Sequence, residues 1–393
     1  MQEADRSNVS YIGRLNFRDD RRVFGIKQAD RLSHTYLIGK TGSGKSTLLR
    51  TLIQQDISAG RGVCLLDPHG DLAEQVAADA AASGRNDIVY WNVPDRSSPY
   101  GYNPLRHVRA DKIPLAVSGI LEAFKKLWEK NAFGPRMEHI LRNALYATIE
   151  TPDADLADIL RIISDKSYRQ QVARSITNEP VRRFWLKEFP NYSFRYMADG
   201  IAPIQNKVGA YLADPTLARI LTKPEQDLHI RAIMDRGGVL IVNLAKGRLG
   251  EDSANLLGSL LISTIGLAAF SRAEIAQTDR RAFHVFVDEF QSFATLSFAN
   301  MIAELRKTAV SLTLAHQYLH QLDADIQHAV LGNAGNIISF RVGPEDAVIL
   351  AREFAPIFGV IDLISLPNFR IYLKLMIDGC PSRPFSAITI YSH

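Results

Sequence analysis

Short apolar runs of strand length alternate with stretches of helical periodicity through much of this chain. Residues 34–38 form a β-prone run, and residues 47–53 carry apolar positions at helical spacing. Residues 62–66 are apolar and end at the acidic turn Asp67-Pro68-His69-Gly70-Asp71. An Ala-rich helix over 72–82 and a strand over 87–92 follow. This alternation predicts an α/β fold with a mostly parallel sheet flanked by helices. Ahead of it, strands over 11–17 and 22–27 form a hairpin whose turn holds Asp19 and Asp20. From about 112 to 236 the periodicity is helical almost throughout, with Met137, Ile140, Leu141, Ala144 and Leu145 on one face. The pattern predicts an all-helical domain over 112–236, inserted between two parts of the α/β domain, 1–111 and 237–393. In the second part, strands are expected over 238–244, 282–289, 310–315 and 336–342. Helices are expected over 298–307 and 345–353, and residues 369–377 pair with 385–390.

One stretch tests the class. Residues 253–271 carry no charge, and Leu256, Leu257, Leu260 and Leu261 make it strongly apolar. A membrane span needs about 20 predominantly apolar residues. Ser253, Asn255, Ser259, Ser263 and Thr264 interrupt the run, so it reads as a helix buried against the sheet. Composition agrees with a globular protein: 46% of the 393 residues are hydrophobic, and the net charge is +4. That charge permits nucleic-acid binding without arguing for it. Cys64, in an apolar run, reads as a buried thiol, and with Cys380 it makes no metal spacing. The polar N-terminus is no signal peptide, and a cytoplasmic location is expected.

The chemistry concentrates in Gly39-Lys40-Thr41-Gly42-Ser43-Gly44-Lys45-Ser46-Thr47, which fits G-x-x-x-x-G-K-[ST]. Gly39, Gly42 and Gly44 permit backbone conformations that let Thr41, Ser43 and Thr47 turn their N–H groups toward a phosphate chain. Lys45 reaches the β- and γ-phosphates of ATP, and the Ser46 hydroxyl holds Mg²⁺. The strand before the loop and the helix after it supply the required context. A second apolar strand ends in Asp288-Glu289. Asp288 is the expected metal ligand and Glu289 the base that polarises water, a pairing that favours ATP hydrolysis over transfer to a small substrate. Gln317 ends the next strand, placed to touch both the γ-phosphate and the water, and His316 packs in the strand end. Arg306 closes the intervening helix, where a cation also complements the helix dipole. Lys246-Gly247-Arg248 reads as a solvated turn or a loop that grips phosphates.

Gly39–Thr47, the Asp67-to-Asp71 element, the helical insert, Asp288-Glu289, Arg306-Lys307 and Gln317 occur in that order. Together they resemble the HerA–FtsK superfamily of hexameric DNA-pumping ATPases. The Asp-Pro-His-Gly-Asp element is the most specific link, to HerA-like proteins and TraG/TraD-type coupling ATPases of conjugation and type IV secretion. The resemblance implies a RecA-like motor domain, a homohexamer, ATP with Mg²⁺ at subunit interfaces and double-stranded DNA in a central pore. It gives Arg306 the role of an arginine finger acting on the neighbouring subunit's ATP, with Arg341 as the alternative. Segment 134–142 is similar to HerA-like and conjugative ATPases too, or is a helix start with Pro135 in its first turn. Coupling proteins resemble this chain but carry N-terminal membrane helices, and HerA translocases carry a β-barrel of about a hundred residues, more than the roughly thirty that precede the P-loop strand here. Either a membrane, relaxase or nuclease partner is then a separate protein, or this sequence is a piece of a longer one. Two other functions fit the same residues: a ring scaffold whose ATP controls assembly of an effector such as a nuclease, and secretion of protein substrates.

Overall fold

The computed structural model describes residues 8–16, 20–128, 133–222 and 224–390. They divide into two compact units. One comprises residues 1–92, 231–247 and 272–393, and the other residues 93–230 and 248–271.

The first unit is built on an 11-stranded sheet. Its strands are β1 (Val9–Leu15), β2 (Val23–Lys27), β3 (Thr35–Ile38), β4 (Gly62–Asp67), β5 (Ile88–Asn92), β8 (Val239–Asn243), β9 (Phe283–Val287), β10 (Val310–His316), β11 (Asn336–Ser339), β12 (Arg370–Lys374) and β15 (Phe385–Thr389). Short strands β6 (Tyr100–Gly101) and β7 (Gln226–Asp227) pair in the second unit, and β13 (Met376–Ile377) pairs with β14 (Cys380–Pro381). The sheet order is β2-β1-β15-β12-β11-β3-β10-β9-β4-β8-β5. From β11 to β5 all pairs are parallel; from β2 to β11 they are antiparallel.

The change of direction follows from the apolar pattern. Every residue of β3, β4, β8, β9, β10 and β11 is buried, as expected of parallel strands covered on both faces. In β12 burial alternates, the pattern of a sheet with one solvated face. Helices α1 (Lys45–Ser58) and α2 (Asp71–Ala82) pack together on the parallel part. Leu48, Leu49, Leu52 and Ile53 of α1 enter one core with Val63, Leu65 and Phe286. Burying each such leucine stabilises by about 1.5–3 kcal/mol. Beneath α1 lies a buried ionic cluster. Asp56 accepts from Arg31 Nη1 and Nη2 at 2.6 and 2.8 Å and from Arg61 Nη1 at 2.7 Å. Burial alone would raise the Asp56 carboxyl, but Arg31, with His284 and Arg61, holds it down to about 2.

The expected hairpin is β1 with β2, antiparallel; β1 begins at Val9 and ends at Leu15, while Phe17 and Asp19 lie outside the described residues. Strand β11 stops at Ser339, short of the expected 342.

The second unit holds α3 (Ile113–Leu127), α4 (Pro135–Ile149), α5 (Leu156–Ser164), α6 (Lys166–Ser175), α7 (Phe194–Ala213), α8 (Pro215–Thr222) and α9 (Glu251–Ser271), with shorter helical turns. Residues 93–111 join it because β6 pairs with β7. Helix α9 is the uncharged stretch. It is long and apolar enough to cross a membrane, but most of it is buried. It belongs to this unit and packs chiefly on α3, not on the sheet as expected. Gly119 of α3 explains the partner: a Cβ there would stand 3.1 Å from the Ser263 Cβ, so the missing side chain lets the helices close.

Candidate functional site

Strands β3, β10, β9 and β4 are adjacent and parallel, so their C-terminal ends share one edge. That edge receives Gly39 after β3, Gln317 after β10, Asp288 and Glu289 after β9, and Asp67 at the end of β4. Ligands of open α/β sheets bind outside such ends. A cleft of ≈ 730 Å³ lies there, lined by Thr41, Gly42, Gly44, Lys45, Ser46 and Thr47 on one side and by Asp67, Asp288, Glu289 and Gln317 on the other.

The loop conformation requires its glycines. Gly42 and Gly44 have φ of 74° and 117°. A Cβ on Gly39 would stand 2.5 Å from the Phe340 Cβ, and one on Gly44 2.7 Å from the Phe369 ring. Gly44 caps α1 without a side-chain hydrogen bond, so the first-turn N–H groups keep their donors for an anion. Gly39 and Ser43 shape the loop rather than line the cleft: the Ser43 hydroxyl donates to the Lys40 carbonyl at 2.6 Å. Lys45 Nζ is buried and donates to the carbonyls of Gly39 and Lys40. Burial lowers its pKa, opposed by the charges of Asp288 and Glu289.

Strand β10 lies between the loop strand β3 and β9, and this order sets Gln317 between Thr41 and Glu289. The Thr41 hydroxyl donates to Gln317 Oε1 at 2.7 Å. Gln317 Nε2 donates to Glu289 Oε1 at 2.5 Å, and Gln291 Nε2 donates to Glu289 Oε2 at 2.7 Å. Glu289 has left-handed φ of 44°, an uncommon conformation that a packed environment sustains at sites of function. Under the strand ends, buried His316 shares a hydrogen bond with Tyr36.

Asp288 is 6% exposed, and its carboxyl is pushed up to about 7 by burial first, then by the charges of Asp67 and Glu289. A divalent cation would relieve that crowding. Among the described residues no group of three or more His, Cys, Asp or Glu side chains is arranged to hold a metal. Asp288 and Ser46 line the same cleft and could hold Mg²⁺, which takes one or two protein ligands and completes its shell with phosphate oxygens and water.

Sequence reading passed over two parts of this site. Asp67, noted only within its motif, is an organiser: Oδ1 accepts from the His69 amide at 2.8 Å and Oδ2 from the Ala73 amide at 2.9 Å, fixing the start of α2. The signal was there, an acid ending a buried strand next to that of Asp288. Phe369 gave none. Its amide donates to the Ser43 carbonyl at 2.8 Å, and its ring lies against Gly44.

Arg306 is not in this cleft. It is exposed in the turn after α10 (Leu296–Leu305), before the N-terminal end of β10. The seven residues of β10 put about 23 Å between that end and Gln317. Its charge acts instead near His34, which burial first and then Arg306 push down to about 4. Arg341 is near the loop: its carbonyl accepts from the Lys40 amide at 2.8 Å, while its guanidinium donates to Leu366 and Asn368. Lys246-Gly247-Arg248 is not an open loop. Residues Lys246–Leu249 form a helical turn whose first amide donates to the Pro68 carbonyl at 2.7 Å.

No curated protein matches the chain. Among solved structures, the bacterial conjugative coupling protein TrwBdeltaN70 superposes with a TM-score of 0.70 at 15% identity, over 94% of this chain and 87% of that one. TrwB in complex with ADP and Mg²⁺ gives 0.68 at 16% identity, over 94% and 88%. VirB4 of Thermoanaerobacter pseudethanolicus gives 0.66 at 14%, over 97% and 96%. At these identities the likeness establishes a shared fold, the RecA-like arrangement that the resemblance implies. The sequence itself matches a family over residues 12–261, which carry the loop, the Asp67 element and most of the helical unit. With that match covering well over half of the chain, this protein belongs to the family described as "Helicase HerA, central domain", within the HerA–FtsK superfamily.

Proposed function

We propose that this protein is an ATP-driven translocase of double-stranded DNA, working as a homohexamer in the cytoplasm. The observation that carries the hydrolytic part is the linked set Thr41–Gln317–Glu289–Gln291 facing Lys45 across one cleft. Glu289, held by two amide donors, takes a proton from the attacking water. General-base catalysis of this kind contributes about 10²–10⁴ in rate. Lys45 leaves its loop carbonyls to neutralise the β- and γ-phosphates. Gln317 bridges loop and base, so a change at the γ-phosphate reaches both. Ser46 and Asp288 would hold Mg²⁺, which would supply charge neutralisation to the phosphates.

The oligomeric part of the proposal rests on Arg306. A cation about 23 Å from its own cleft along β10 serves no hydrolysis there. It suits a neighbour's cleft, as expected of a finger supplied in trans. The similar structures, a conjugative coupling protein and its complex with ADP and Mg²⁺, support nucleotide use and a DNA-processing role. The helical unit would serve as an inserted domain of the motor, and a membrane, relaxase or nuclease partner would be a separate chain.

The test measures ATP hydrolysis with and without long duplex DNA, together with displacement of a triplex-forming strand from that duplex. Hydrolysis stimulated by DNA and ATP-dependent displacement are expected, both lost in Lys45→Ala. Hydrolysis indifferent to DNA, with no displacement, would refute the translocase.

A further inference from the structure

Away from the ATP cleft, a groove of ≈ 510 Å³ opens on the antiparallel part of the sheet. Arg14, Arg21 and Arg370 line it, with Leu15, Asn16 and Ile388. The strand register explains the convergence. Arg14 of β1 and Arg370 of β12 both pair with Ile388 of the intervening β15. Directly opposed residues project from the same face, so the two arginines flank one isoleucine, their Cα atoms about 10 Å apart. Arg21 joins them from the segment between β1 and β2.

All three arginines are exposed, and among the described residues no side-chain hydrogen bond or ion pair engages any of them. Elsewhere in this unit arginines at the surface find acids: Arg22 with Asp20, Arg50 with Asp79, Arg85 with Asp87. Asp20, the described carboxylate nearest in sequence to Arg21, is held by Arg22 through both Nε and Nη2. Among the described residues the groove thus gathers cations without a paired counter-charge. Guanidinium forks match phosphate oxygens in bidentate pairs, and the apolar floor at Ile388 can lie against a sugar.

We propose that this groove binds the phosphodiester backbone of a nucleic-acid strand, as a second contact surface outside any central pore. The inference rests on the DNA reading above and adds a place to it. Because such contacts release condensed counterions, each lost arginine leaves a mark in the salt dependence of binding.

The experiment follows the anisotropy of a labelled duplex of arbitrary sequence across a series of KCl concentrations. It compares wild type with Arg14→Ala/Arg370→Ala and with Arg14→Lys/Arg370→Lys. In the alanine pair, the slope of log K against log salt should be shallower by about 2, and affinity at low salt should fall about ten-fold or more. The lysine pair should keep the slope, since its charge remains. Basal ATP hydrolysis without DNA should stay within about two-fold in both, showing an intact fold. An unchanged slope in the alanine pair, with wild type binding DNA, overturns the groove and leaves the translocase standing. A wild type that binds no duplex at any salt overturns both. Inorganic phosphate or a glutamate-rich peptide, tested alone, would overturn the proposal if its binding needs these arginines while DNA binding does not.

Discussion

Replacing Glu289 by Gln separates the base from the metal site. Glu289 is 6% exposed, and each carboxylate oxygen accepts from an amide, Gln317 on one side and Gln291 on the other. A carboxamide at 289 offers one acceptor and one donor, so it faces one of those amides donor to donor. The network has a way out. If the amide of Gln317 turns over, its carbonyl accepts from residue 289 and its NH₂ faces the Thr41 hydroxyl, which accepts as readily as it donates. The structural cost should then stay at about 1 kcal/mol, the worth of one exchanged hydrogen bond. The proton acceptor is gone, and turnover should fall about 10²–10⁴-fold, or roughly 3–5 kcal/mol in the barrier. Affinity for Mg-ATP should stay within about three-fold, because Asp288, Ser46 and Lys45 remain. Fluorescent-nucleotide titration reads the affinity, and single-turnover phosphate release reads the chemistry. Turnover reduced less than about ten-fold would refute Glu289 as the base, and affinity reduced by more than that would make it a metal ligand.

Arg306→Ala should bind ATP normally and lose about 10³–10⁵ in turnover, with little rescue by lysine, whose point charge lacks the planar fork. Mixed with Lys45→Ala protein it should regain part of the activity; mixed rings that form and stay inactive would refute action in trans. Asp56→Asn leaves Arg31 and Arg61 without their buried anion and should cost about 3–5 kcal/mol in urea unfolding. In wild type, the Asp56 carboxyl is held at about 2 against an ordinary 3.8, so its stabilisation is complete above about pH 4 and is lost as pH falls toward 2. That gap is worth about 2.5 kcal/mol at 1.36 kcal/mol per pH unit; a wild-type stability that stays flat over that window would count against the ionic cluster.

Much of the site was legible because its chemistry is local in sequence. Nine consecutive residues make the loop, two adjacent acids end β9, and Gln317 ends β10. Each sits beside a buried apolar strand, and such runs are hard to mistake. What sequence order conceals is adjacency across the sheet. That β10 lies between β3 and β9, which couples Thr41 to Glu289, depends on pairings between residues 276 and 28 positions apart. Phe369 against Gly44 is likewise a contact between distant segments, made by a residue with left-handed φ of 65° that its type does not favour. Helix α9 was misplaced for a related reason. Its apolar residues run all round it, so periodicity named no face, and the choice of partner fell to Gly119 on another helix.

Strand β10 has a consequence for communication. All seven of its residues are buried, and hydrogen bonds tie it to β3 on one side and β9 on the other. Residues 310–314 pair with β9 and 313–316 with β3, so every residue of the strand has at least one ladder neighbour to resist bending. At one end it carries Gln317, in touch with the loop and Glu289. At the other, Ala309 with φ of 58° reverses the chain, and the Ala309 carbonyl holds the Phe283 amide at 3.0 Å, directly after the turn bearing Arg306. A displacement at the cleft would then be carried toward the opposite edge of the sheet by the strand as a whole. In mechanical terms β10 is a push-rod, and the quantity to follow at its far end is the position of one guanidinium.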